Sequence, residues 1–67
     1  MYMNASRRSV LILEMAHLWG EVMNMTTADG ERSHQKERFD GLAQRHPREA
    51  EAAKKLQSAA FDAALAL

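Results

Sequence analysis

Residues 10–25, VLILEMAHLWGEVMNM, decide most of what this chain can become. They carry ten of the sixteen large apolar side chains found from Val10 onward. At roughly 100° per residue, Glu14, His17, Glu21 and Asn24 fall on one narrow polar stripe of a helix. Leu11, Ile12, Met15, Leu18, Trp19, Val22, Met23 and Met25 fill most of the remaining circumference. A helix that packs on one neighbour needs an apolar stripe only about 100° wide. This one needs neighbours on at least two sides.

The rest of the chain has little to offer it. From Thr26 onward the large apolar residues are Phe39, Leu42, Leu56, Phe61, Leu65 and Leu67. Leaving three or four side chains of the first helix in water would forfeit roughly 5–12 kcal/mol, at ~1.5–3 kcal/mol each. That is as large as the whole net stability of a typical domain, about 5–15 kcal/mol. With 67 residues and no cysteine, neither a large core nor a disulfide can make up the difference. Oligomerisation is the remaining device. The sequence predicts a homodimer in which the first helix pairs with its symmetry mate in an antiparallel bundle.

The element pattern is all-α and fits one domain over residues 1–67, a helical hairpin or a three-helix unit. Residues 1–5 read as a loose lead-in, with Asn4 or Ser6 as the first N-cap. The first helix is expected over residues 6–26. Thr26, Thr27 and the Asp29-Gly30 turn dipeptide then mark a connection over residues 26–33, with Ser33 or Asp29 capping the next helix. Residues 34–45 are strongly charged with a sparse apolar line at Phe39, Leu42 and Ala43, continued by His46, and read as a surface helix. Pro47 disfavours helical geometry at His46 but suits a first helical position itself. A break there, with a third helix over residues 47–66, is favoured over one long kinked helix. Eight of residues 47–67 are alanine, so helix propensity is high. The apolar face of the third helix is expected at Ala52, Leu56, Ala59, Ala60, Ala63 and Leu67. Its small side chains would allow close approach to Ala16 and Gly20 of the first helix.

Several functions are disfavoured on chemistry. Nine Lys and Arg balance nine Asp and Glu, so no global field draws the chain to nucleic acid or an anionic membrane. Glu14, His17 and Glu21 interrupt the apolar run and rule out a membrane span. The same residues argue against an export signal, although Ser6-Arg7-Arg8-Ser9-Val10-Leu11-Ile12 has a twin-arginine look. A cytoplasmic location is expected, which the absence of cysteine suits. No nucleophile setting, glycine-rich phosphate loop or nucleotide motif is present, so an enzyme is not expected, and no cofactor is implied.

Three constellations remain. Methionine surfaces repack against varied partners and tryptophan is enriched at interface hot spots. Met15, Leu18, Trp19 and Met23 are therefore the expected partner-binding residues, with Phe61 and Leu65 as a second patch. Each of them could also serve simply as core. Arg38, Arg45 and Arg48 are the candidate contacts of an alternative, a small nucleic-acid-binding regulator. Glu31, Glu37, Asp40 and Glu49 dilute that field, and a solvated face with i, i+4 ion pairs such as Lys36 to Asp40 is the simpler account. Glu14-x-x-His17, with Glu49 from the third helix, has the spacing of carboxylate-bundle metal ligands. Its place on the one polar stripe suits a wet face better. The favoured function is thus a non-enzymatic protein–protein interaction module, an adaptor, chaperone or inhibitor, acting as a homodimer.

Overall fold

The first helix, α1, spans Arg7–Met23. The computed structural model describes residues 6–66. Ser6 caps α1 from extended geometry, its Oγ accepting the Ser9 N–H at 3.0 Å, as the second of the two expected caps. Asn24 ends α1 earlier than residue 26. Its Oδ1 accepts both the backbone N–H and the Oγ1–H of Thr26, at 2.9 and 2.7 Å. An asparagine that bonds its own backbone two residues on offers the chain a turn in place of another helical residue.

The second helix, α2, spans Asp29–Arg45 and starts five residues before the expected position. The connection is therefore residues 24–28, not 26–33. Neither Ser33 nor Asp29 is the cap; that position is Ala28, with no side-chain hydrogen bond. Asp29-Gly30 enters the first turn of the helix instead of forming a loop. Asp29 and Glu31 stand at the positive end of the helix dipole, which offsets the missing cap. Asp29 also takes Arg32 at 3.0 Å.

His46 alone separates α2 from the third helix, α3, which spans Pro47–Leu65. With φ −136° and ψ 65° it is not helical, as expected of a residue before proline. Its N–H donates to the Leu42 carbonyl and its own carbonyl accepts from the Ala50 N–H, so one residue closes one helix and opens the next. The fold is all-α, with no strand among the described residues.

α1 packs against both other helices, and the contact between α2 and α3 is the smallest of the three. Met15, Ala16 and Leu18 from α1, Phe39 from α2, and Ala50 and Ala53 from α3 are buried together. Leu11, Ile12, Trp19, Leu42 and Ala43 pack around them. The Trp19 and Phe39 rings lie 4.9 Å apart between centroids, tilted by 41°. The Lys54 ammonium closes the third side, 4.9 Å from the Trp19 ring centre and 5.9 Å from that of Phe39. Its stem covers apolar surface while its charge meets the ring faces.

The buried face of α3 is not the expected one. Ala50 and Ala53 are the buried residues, and Gln57 lies over Gly20 on the same line. Leu56, Ala59, Ala60 and Ala63 are exposed, Ala52 is half-buried, and Leu67 lies outside the described residues. Polar side chains on the rotated helix find partners. Glu49 takes Arg8 at 3.1 Å, Lys54 takes the rings, and the Gln57 amide takes the gap above Gly20. α3 does come close to Gly20, but through the Gln57 side chain and not through the small side chains expected there.

Candidate protein-docking surface

α1 and α3 lie side by side, with Arg8 opposite Glu49 and Gly20 opposite Gln57. Beyond Gln57 they leave a cleft of about 230 Å³, lined by Trp19, Met23, Gln57, Ser58 and Phe61. Phe61 continues the Ala53–Gln57 line of α3 one turn further, where α1 has just ended at Met23. Among the described residues little covers it there: Phe61 is 61% exposed, and residues 58–66 are all exposed. Leu65 follows one turn on and is 72% exposed. Trp19 serves two surfaces, packed on Phe39 and Lys54 inside and lining the cleft outside.

The structure therefore divides the expected partner-binding residues. Trp19, Met23 and Phe61 meet in one cleft, with Leu65 beyond it. Met15 and Leu18 do not join them. At 0% and 3% exposure they are core, because α2 and α3 cover the middle of α1 from both sides. The surplus of α1 lies instead at Val10, Leu13 and Met23, all more than half exposed, and at Met25 in the connection. Gln57 and Ser58 are lining residues that the sequence reading missed. The signal was present in the i, i+4 spacing of Gln57 and Phe61, but two polar residues carry no weight in a search for apolar contacts.

The other candidates are dispersed. Arg38 donates to the Gln35 amide oxygen at 3.3 Å. Arg45, in the last turn of α2, and Arg48, in the first of α3, flank the His46 link and are exposed. Lys36 and Asp40 pair at 2.8 Å as their spacing predicts. Glu14 and His17 are exposed on the polar stripe of α1. Glu49, the remaining metal candidate, is engaged by Arg8. Among the described residues, no three His, Asp or Glu side chains converge on a point where a metal ion could sit. No helix among them is long and apolar enough to cross a membrane.

Comparison with protein-family models, curated proteins and solved structures finds no match to this chain.

Proposed function

We propose that this chain is a small non-enzymatic protein–protein interaction module, an adaptor, chaperone or inhibitor, working as a homodimer in the cytoplasm. One observation carries the reading: Phe61 of α3 meets Trp19 and Met23, one turn apart on α1, in an open apolar cleft although some 40 residues separate the two helix segments. A short chain that leaves Met23, Phe61 and Leu65 more than half exposed gains from having them covered. Each of Met23, Phe61 and Leu65 already hides part of its area, so complete burial adds roughly 1–2 kcal/mol apiece. A tryptophan held on its inner face by Phe39 and Lys54 is a rigid anchor, ordered before a partner arrives. The cysteine-free composition suits a reducing compartment.

The test is capture from the native host with tagged wild type, Phe61→Asp and Arg38→Asp, each checked for unchanged helicity. One stoichiometric protein partner is expected for wild type and Arg38→Asp, and none for Phe61→Asp. Capture that survives Phe61→Asp but fails with Arg38→Asp, or that disappears on nuclease treatment, refutes the docking reading and favours nucleic acid.

A further inference from the structure

The third helix keeps one side for its own core and leaves another open. Ala52, Leu56, Ala59 and Ala63 recur at steps of four, three and four residues, the a/d seam of a coiled coil. At 3.6 residues per turn the seam lies roughly 120° around the helix from Ala50, Ala53 and Gln57. Leu56 is 43% exposed, and Ala59 and Ala63 are exposed. Lys55 and Asp62 stand along one edge of the seam, seven residues apart. Both are exposed, and among the described residues neither is ion-paired within the chain.

We propose that this face binds a second copy of the chain, α3 against α3, antiparallel about a twofold axis between Gln57 and Ser58. The inference rests on the homodimer reading above and names its interface. Antiparallel helices hold constant the sum of facing positions. Placing Leu56 against the partner's Ala59 therefore places Ala52 against the partner's Ala63, and both contacts occur twice. Large meets small in the two central layers, and the outer layers are small on both sides, so the backbones come close. In the same register Lys55 lies alongside the partner's Asp62, and Asp62 alongside the partner's Lys55. In a helix each Cα–Cβ bond tilts toward the N-terminus, which brings these edge residues toward each other.

Charge selects this register from its neighbours. Sliding the partner by one heptad in one direction sets Lys55 against the partner's Lys55. Sliding it in the other sets Asp62 against the partner's Asp62. A parallel pairing puts Lys55 beside the partner's Ala60, leaving the charges unanswered. With a formal net charge of zero, no overall repulsion opposes self-association. The seam points away from the line that carries Gln57 and Phe61, so the dimer presents two open Trp19–Met23–Phe61 clefts. The symmetry mate meets α3, not α1.

Sedimentation velocity across a concentration series of the full chain tests this, using wild type, Lys55→Asp, Asp62→Lys and the double charge swap. Circular dichroism verifies that each remains helical. Each single change turns two attractive contacts into two repulsive ones, and should move the monomer–dimer midpoint about tenfold toward higher concentration. The double swap should return it to near the wild-type value. The Leu56→Cys/Ala59→Cys variant, in a chain with no other cysteine, should form a disulfide-linked dimer under mild oxidation. A wild-type dimer indifferent to both single changes overturns the α3 interface and leaves the homodimer reading standing. A wild type that stays monomeric throughout overturns both, while the cleft test above remains separate.

Discussion

Gly41 lies one turn before the end of α2, on its exposed side, with no atom of another element within 4 Å of the place an added Cβ would occupy. No glycine among the described residues has a positive φ. Gly41→Ala therefore meets no clash and no backbone strain. It removes the conformational freedom that glycine contributes to the unfolded chain, and should stabilise by about 0.8–1 kcal/mol. For a chain of this length, with a net stability of roughly 3–10 kcal/mol, that is a large increment. It corresponds to a rise of about 4–8 °C in Tm. The assay is thermal and urea unfolding by circular dichroism, with variants compared at one fixed concentration because association adds to apparent stability. Gly20→Ala supplies the contrast. There the added methyl group meets the Gln57 amide, at 3.0 Å from Nε2 and 3.1 Å from Cδ. The amide is the free end of a flexible side chain on the open side of the cleft, so it swings aside at the cost of its own packing. Gly20→Ala should gain less than Gly41→Ala, and Gly20→Ala combined with Gln57→Ala should recover the difference. If Gly41→Ala leaves stability unchanged, α2 does not run unbroken through residue 41. If Gly20→Ala gains as much as Gly41→Ala, α1 and α3 are not as close as described.

Phe39→Ala, at the one aromatic side chain fully inside the core among the described residues, should cost about 3–5 kcal/mol and leave much of the population unfolded at body temperature. A loss below 1 kcal/mol in urea unfolding would remove Phe39 from the centre of the fold. Ser6→Ala deletes the only side-chain N-cap among the described residues and should cost about 1 kcal/mol, with Ser6→Asp restoring it. Lys54→Ala should lose about 0.5–1 kcal/mol and shift Trp19 fluorescence, because the ammonium sits over both rings. Lys55→Ala, one residue along, should do neither at concentrations where the chain is monomeric.

Three features of the fold were readable from residue spacing: the wide apolar arc of α1, the Phe39–Leu42–Ala43 line of α2 and the break at His46. Each rests on a strong local cause, either helical periodicity or the steric demand of proline. The start of α2 was not readable, because Asp29-Gly30 is a turn signal that becomes a first helical turn once acidic residues sit on the dipole. The rotation of α3 was hidden for a different reason. Its alanine-rich side outranks the buried side on hydrophobicity, yet Glu49, Lys54 and Gln57 hold partners in Arg8, the two rings and the space over Gly20. The candidate surface was half legible. Trp19, Met23 and Phe61 stand out by residue type, but only the early end of α1 shows why Phe61 stays largely exposed. Met15 and Leu18 look identical to Met23 in sequence and differ only in lying opposite the places where α2 and α3 cross.

Since α1 touches both other helices, while α2 and α3 touch each other least, the helix with the widest apolar surface is synthesised first and covered last. Some 40 residues separate the end of α1 from the end of α3. At the usual ~5–20 residues per second, the last of its neighbours is made roughly 2–8 s after α1 itself. Met15 and Leu18, sealed in the finished protein, do not have their complete cover until α3 has been made.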